Sequence, residues 1–384
     1  MNNIIVTGMG SVSAAGLGNE KLWRAVLDKK SLATLSRFKK LEKYTGHIVC
    51  QLPDAVYSEI ANLDYSLGMI KLAFAEANNQ AEDIFTRYNR KRIGMAVGTT
   101  TLGWGQWERD YIEKKDVSLL GSNIYCMKQI KEKLGINGIV SLISTACASS
   151  NEAVGVAVDY LKANQADCMI VIGVDAINEY PICGFNALKL ADGGLCKPFD
   201  ESRKSVVLGE GCGILILEKG VSVKSYNNDL RKAEIIGYAE NCDAFDMTKP
   251  SSESISYVIQ KSIQNSNCHV GEIDFILAHA TGTIINDTKE SEGISNVFKE
   301  NQPIVTSIKG VIGHTQGAAG IMNIIVGIMA LQHNSIPSCA GYSRSGNGID
   351  NIRVLKETVH NNAKVFISNS FGFGGANSCI VVRK

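Results

Sequence analysis

Short apolar runs alternate with runs of helical period along the chain. Residues 4–8 form a β-type run ending in Gly8-Met-Gly10, and residues 19–29 read as a helix. Residues 31–65 are polar and irregular. A helix pattern over 67–77 leads to a strand over 92–98 and then to Trp104 and Trp107 at helical spacing, where aromatic residues are core before they are a ligand box. The apolar run 139–143 is followed by Val154, Ala157, Val158 and Leu161 at helical spacing, and 168–174 is the continuous apolar run of a strand buried on both faces. Strands alternating with helices predict an α/β architecture.

The pattern also repeats. The strand, turn and small-residue helix around residues 139–161 recur over 302–329, and the glycine-rich run 208–218 is echoed by 371–382. A duplicated α/β unit with a seam between about residues 220 and 235 follows. It sets Cys147 and His314 in matching turns of two halves, residues 1–230 and 231–384. Ala148, Ala153, Gly155, Gly317, Ala318, Ala319 and Gly320 crowd the two helices after these turns, which predicts central helices in close approach.

Composition narrows the function classes. A chain of 384 residues with 45% hydrophobic residues can bury a large core, as one unit of two halves or as two domains. With 39 Lys+Arg against 38 Asp+Glu it has no electrostatic footprint for nucleic acid or an anionic membrane. Arg37-Phe-Lys-Lys40, near Lys43, forms a basic cluster, a solvated face or a dock for a small acidic protein. No apolar run approaches the ~20 residues that span a bilayer, and the N-terminus lacks a signal-peptide pattern, so a cytoplasmic location is expected. The 11 cysteines include no CxxC pair, which predicts mostly buried, reduced thiols. A dinucleotide fingerprint is set aside, because position 13 is serine and not the third glycine.

Three turns at strand ends carry the chemistry. Cys147, in Ser144-Thr-Ala-Cys147, lies where an apolar strand gives way to a helix, and there free N–H groups and the helix dipole favour a thiolate. His279 ends the strand over 273–279, and His314 precedes the Gly/Ala-rich helix. Ligands of α/β sheets bind beyond the carboxyl ends of strands. Each histidine alone suits a structural role. Together with Cys147, either suits a base, an acid or an oxyanion donor. No second histidine or acid stands at a zinc spacing, so no metal is expected. The turn Phe371-Gly-Phe-Gly-Gly375 can bring a backbone N–H close to an oxygen and let a ring move as a gate.

Taken in order, these motifs resemble the β-ketoacyl-[acyl-carrier-protein] synthases of the thiolase fold, most like the synthase II type and the type II polyketide ketosynthases. The residues that carry the resemblance run through nearly the whole chain: Val6-Thr-Gly-Met-Gly10, Thr145-Ala-Cys147-Ala, Pro198-Phe-Asp200 with Leu208-Gly-Glu-Gly211, and Asp243-Ala-Phe-Asp-Met-Thr-Lys-Pro250. Later come His279-Ala-Thr-Gly-Thr283 with Asp287 and Glu290, Lys309 with Gly313-His314, Gly317-Ala-Ala-Gly320 and Asn369-Ser-Phe-Gly-Phe-Gly-Gly375.

The resemblance implies two βαβαβαββ halves in a five-layered α-β-α-β-α core. It implies that Cys147 takes an acyl group from the phosphopantetheine of acyl carrier protein, and that His279 and His314 assist decarboxylation of a malonyl thioester. Lys309 would support the histidines, and the N–H groups of Cys147 and Phe373 would form the oxyanion hole, with Phe373 also the gate. Thr281 and Thr283 would contact the pantetheine arm, Asp287 and Glu290 would support the site, and Thr101 would line the acyl pocket. No cofactor is implied, and the partner would be a second copy or a related ketosynthase-like subunit.

Several positions depart from the family pattern. Ala280 stands for a usual glycine, Ile284 for a proline and Asp246 for a histidine; a Met-Asp-Arg pattern is missing between Leu63 and Ile70, and Thr101-Leu102 replaces a larger aliphatic. These count against the housekeeping fatty-acid role; the leading reading is an elongating ketosynthase, and a specialised ketosynthase making polyketide or polyene chains is the runner-up within the class. A silent, chain-length-factor-like partner subunit is the other reading; such a subunit lacks the nucleophilic cysteine.

Overall fold

The computed structural model describes residues 3–37, 42–44, 47–60, 65–113, 122–349 and 351–384. Phe38 to Lys40 of the basic cluster and residues 61–64 of the missing Met-Asp-Arg pattern lie outside them. Arg37 is not a solvated charge: its guanidinium lies 4.1 Å from the Tyr57 ring centroid and bonds Gln51. The stretch 31–65 also holds more structure than its polarity suggests, with strands Thr34–Leu35 and Ile48–Cys50 and a helix Asp54–Ile60.

Eleven strands run in line across one large sheet, in the order Arg353–Val354, Ile304–Thr306, Phe275–Leu277, Val365–Phe371, Ala376–Arg383, Ala233–Cys242, Ile4–Ser13, Gly211–Lys219, Cys168–Asp175, Ile93–Gly98 and Val140–Ile143. The two halves meet at the antiparallel pair Ile4↔Ile235, Ile5↔Glu234 and Val6↔Ala233. Outward from this seam each half repeats the same sequence of pairings, two antiparallel and then two parallel.

Period-two alternation explains the layering. Along Cys168–Asp175, Met169 and Val171 join a central core, while Cys168, Ile170, Ile172 and Val174 join an outer one. Along Val365–Phe371, Phe366 faces the central core and Val365 and Ile367 the outer core of the second half. A strand with both faces apolar needs a helix layer on each side. Helices Ser149–Lys162 and Ala319–Gln332 fill the middle, touching strands of both halves, and Tyr65–Gln80 and Ser252–Ser266 cover the outside. The result is the α-β-α-β-α order.

Gly8 and Gly10 are explained by the outer layer. A Cβ on either would stand 2.1 Å from the Ala77 carbonyl oxygen or 1.9 Å from that of Ala73, so the strand lies directly against the helix backbone. Eight of the 11 cysteines are buried and all are free. Trp107 is no core residue; it is 36% exposed. Trp104 stacks on Tyr180 with centroids 4.2 Å apart.

The duplication places the turns more finely than the sequence repeat did. A three-residue 3-10 turn, Ala146–Ala148, precedes the 14-residue helix Ser149–Lys162, and Gln316–Ala318 precedes the 14-residue helix Ala319–Gln332. Both turns open on a non-glycine residue in the left-handed region, Ala146 at φ 50 and Gln316 at φ 52. The structural counterpart of Cys147 is therefore Gly317, and His314 stands three residues earlier, opposite Ser144.

Candidate active site

Three strand ends converge on one cavity of about 330 Å³, whose wall includes Cys147, His279, His314, Thr281, Thr283 and Phe373. The sequence placed these residues in separate turns, and the fold brings them together. His314 Nε2 lies 3.0 Å from Cys147 Sγ. The His279 and His314 rings meet edge to face at 5.2 Å, and one ligand atom from each of the three residues falls within a 4.8 Å cluster. Phe371 packs 5.8 Å from His279 on its other side.

The tautomer of His314 is set by its backbone. The Gln316 N–H donates to His314 Nδ1 at 3.2 Å, which leaves the ring proton on Nε2, facing sulfur. Burial, reinforced by the Lys309 charge, holds the pKa of His314 well below the ordinary histidine value. Burial and Lys309 do the same to His279. The ring of His314 is therefore a neutral N–H donor and not a base, and it offers no lone pair to a cation at this point. Although Cys147, His279 and His314 cluster as metal ligands do, the N–H of His314 and the cationic Lys309 suit an anion.

Burial also overturns the expected thiolate. Cys147 is 6% exposed, and desolvation pushes its pKa up to about 12 against the opposing pull of Lys309 and of the Cys147 and Phe373 N–H groups. The thiol precedes its helix by a turn, and loss of water outweighs the dipole. Those two N–H groups reach the sulfur.

Two buried carboxylates, Glu290 and Asp287, fix the histidine strand end. Glu290 accepts the His279 N–H at 2.8 Å, the Ala280 N–H at 2.7 Å and the Asn369 amide at 3.1 Å, and burial raises its pKa to about 7. Asp287 accepts the N–H groups of Phe199 at 2.8 Å and Gly282 at 3.2 Å; burial raises it to about 6. Lys309 is buried beside these groups without a hydrogen-bond partner among the described residues, and desolvation lowers its pKa while Glu290 raises it. Thr281 and Thr283 share a 2.9 Å hydroxyl–hydroxyl bond on the cavity wall.

Phe373 sits on a glycine turn held from outside. Its ring lies 5.4 Å from that of Phe185, and the Gly374 N–H donates to the Met247 carbonyl at 2.9 Å. Gly375, at φ 87, leaves no room for a Cβ, which would stand 1.8 Å from Asp243 Oδ1. Thr101 does not belong to this wall. It is buried with its N–H and hydroxyl donating to Asp175 Oδ1 at 2.8 and 2.9 Å, so its polar atoms are committed to that carboxylate.

Sequence reasoning missed Asp175, Phe185 and the Asn369 contact. Asp175 was findable by the rule that singled out His279, since it is a polar residue closing a buried apolar strand. Phe185 carried no signal, because a lone aromatic in a helix reads as packing.

Family models match most of the chain: "Beta-ketoacyl synthase, N-terminal domain" over residues 1–221 and "Beta-ketoacyl synthase, C-terminal domain" over 232–343. Among curated relatives, nodulation protein E of Rhizobium sp. (strain N33) is 27% identical, with 99% of each chain covered. The 3-oxoacyl-[acyl-carrier-protein] synthase 2 of Mycobacterium tuberculosis (strain ATCC 25618 / H37Rv) is 28% identical over 98% of this chain and 96% of its own. Among solved structures, the ishigamide ketosynthase/chain length factor superposes with TM-score 0.91 at 24% identity, over 100% of this chain and 99% of that one. A type II PKS acyl-carrier protein in complex with its ketosynthase bound to the hexaketide gives TM-score 0.90 at 23% identity, over 100% and 99%. At these identities the solved structures speak to the fold alone, which is that of the thiolase-fold ketosynthases. With models covering both halves of the sequence, the chain belongs to the β-ketoacyl synthase family.

Proposed function

We propose that the protein is an elongating β-ketoacyl-[acyl-carrier-protein] synthase, an acyltransferase that joins a Cys147-bound acyl group to the two-carbon unit of a malonyl thioester. The observation that carries the reading is the 3.0 Å contact of His314 Nε2 with Cys147 Sγ inside a cavity that His279 also lines.

The chemistry follows from the residues. In the first step the Cys147 sulfur attacks the acyl thioester, the pantetheine sulfur leaves, and the thiol proton ends on that sulfur. The N–H groups of Cys147 and Phe373 hold the oxyanion, a pair of donors each worth ~10²–10³ in rate in comparable sites. In the second step the malonyl C–C bond breaks, carbon dioxide leaves, and the electron pair collects on the thioester oxygen as an enolate. This step calls for donors and no base, and a neutral His314 with its proton on Nε2 is such a donor. The enolate carbon then attacks the acyl carbonyl, and Cys147 departs as a thiolate that takes a proton from solvent and returns to the thiol. No cofactor enters any step.

The acyl carrier protein is the proposed donor of both substrates, with Thr281 and Thr283 along the pantetheine channel and Phe373 at its gate. Exposed Phe245, Met247, Ile284 and Ile285, with the exposed Lys204 and Lys249 at the same mouth, supply apolar and cationic contacts for an acidic carrier. The second subunit, identical or related, is proposed to add to the edge of Val140–Ile143, the last strand of the sheet and half-exposed. A silent chain-length-factor-like role gains nothing from a thiol placed against an imidazole N–H.

The test is condensation itself: malonyl carrier protein and a panel of saturated, unsaturated and aromatic acyl starters, with carrier-bound products read by mass spectrometry. A product two carbons longer, bearing a 3-oxo group, is expected. Transfer of the acyl group with no elongated product from any starter would overturn the elongating role.

A further inference from the structure

Asp175 lies outside the Cys-His-His set, yet it is the most heavily bonded carboxylate near it. Its Oδ1 accepts the Thr99 hydroxyl at 2.8 Å, the Thr100 N–H at 2.9 Å, and the Thr101 N–H and hydroxyl at 2.8 and 2.9 Å. Its Oδ2 accepts the Thr100 hydroxyl at 2.8 Å, the Thr100 N–H at 3.0 Å and the Gly317 N–H at 2.6 Å. Three of these donors are backbone N–H groups, which cannot turn round to accept. The contacts tie the end of one half's strand to the turn of the other half that follows His314.

The duplication shows what this tie replaces. In the first half the left-handed Ala146 is held by Ser149, whose hydroxyl accepts the Thr145 N–H at 3.0 Å and donates to the Ala146 carbonyl at 2.6 Å. The counterpart of Ser149 in the second half is Ala319, which can do neither. Gln316 is nevertheless left-handed, a conformation that costs a non-glycine residue of order 1 kcal/mol and persists only where the surroundings fix it. It is fixed on both sides, by its own N–H on His314 Nδ1 and by the next N–H, of Gly317, on Asp175. Gly317 must lack a side chain for this, since a Cβ there would stand 2.7 Å from Asp175 Oδ2. The position that holds the nucleophile in the first half is vacated in the second to admit the carboxylate.

We infer that Asp175 is a positioning residue that, through the Gly317 N–H, holds the Gln316 turn in the conformation keeping the His314 proton on Nε2. The inference rests on the proposed condensation for its consequence in rate, but its geometry stands apart from it. In Asp175→Asn one carboxylate oxygen becomes an NH2 group; Oδ1 accepts from four donors and Oδ2 from three, so the oxygen is kept at the Oδ1 side and the NH2 faces the Gly317 N–H. With the Gly317 anchor lost, the Gln316 N–H leaves Nδ1 and the ring is free to carry its proton there.

The experiment is 15N NMR of histidine-labelled full-length protein at neutral pH, with the His314 signals assigned by their absence in His314→Asn. Wild type should show His314 as the Nε2–H tautomer alone, and Asp175→Asn should show an Nδ1–H population. Malonyl decarboxylation should fall ~10–100-fold in the variant, the span expected for losing one hydrogen bond to a charged group, with Cys147 still acylated. An Nδ1–H tautomer in wild type, an unchanged His314 spectrum in the variant, or an equal fall in acylation and decarboxylation would overturn the inference. Should Asp175→Asn not fold, Gly317→Ala displaces the same contact with the carboxylate retained and is read by the same spectrum. A wild-type protein without decarboxylase activity would count against the proposed function and leave the tautomer test intact.

Discussion

His314 presents an N–H to Cys147, at 3.0 Å from nitrogen to sulfur, because Gln316 occupies the other ring nitrogen. A histidine so arranged stabilises negative charge and cannot take the thiol's proton. The free enzyme then holds a neutral thiol, and its nucleophile is formed as a substrate arrives.

The pH dependence of thiol alkylation follows. Burial pushes Cys147 up to about 12, so its reactivity toward iodoacetamide should climb with pH past 10 without a plateau near 8.5. Lys309 lowers that pKa, and Lys309→Met should slow alkylation at every pH below the plateau by about tenfold for each unit gained. Intact-mass time courses over pH 7–11 check both; a plateau at pH 8–9 in wild type would contradict the desolvated thiol.

The glycine turn can be tested by adding one carbon. Gly375→Ala places a Cβ 1.8 Å from Asp243 Oδ1 at a φ of 87, and should move the Phe373 N–H off the sulfur. Acylation of Cys147 should fall ~10²-fold, as for loss of an oxyanion donor. Gly374→Ala meets nothing within 4 Å and pays only for its φ of 82, so it should lose much less. Acylation rates of the two variants, side by side, distinguish crowding from strain.

Stability should carry the signature of the buried imidazole. The folded pKa of His314 lies well below the ordinary value, so near pH 6.5 and below the unfolded chain binds a proton that the folded chain refuses. Protons then favour unfolding, and wild type should lose stability as pH falls below about 6.5, by up to about 1.4 kcal/mol per pH unit for this group. His314→Asn removes that contribution. Urea midpoints of both proteins at pH 5, 6 and 7 should diverge toward acid, the variant falling less; parallel lines would refute a neutral buried His314.

Glu290 gives a separate test of the histidine strand end. In Glu290→Gln only one oxygen remains to accept the N–H groups of His279 and Ala280, and the other is left buried without a partner. A cost of about 1–3 kcal/mol in denaturation is expected. Decarboxylation should drop more than acylation, since the displaced ring is that of His279.

Much of this was legible in the sequence because it rests on periodicity. The continuous apolar run 168–174 announced a strand between two helix layers, and the repeated turn announced the duplication. Cys147 and His279 were legible because each follows an apolar strand, and His314 because it precedes the Gly/Ala-rich helix of the repeat. What the Thr101 hydroxyl binds was not legible, because sequence shows a residue's place on a loop and not its partner; Asp175 claims that hydroxyl from another strand. The protonation of Cys147 was misjudged for the same reason, since the helix start is local and the desolvation comes from the whole fold. The offset between His314 and Cys147 within matching turns needed the paired 3-10 turns to be seen.

Intact-mass spectrometry of the enzyme after incubation with acyl carrier protein loaded with an acyl group tests the central claim most directly. One acyl adduct, mapped by peptide analysis to Cys147 and absent from Cys147→Ala together with all condensation, is the predicted result. An adduct on another cysteine, or full condensation by Cys147→Ala, would contradict it.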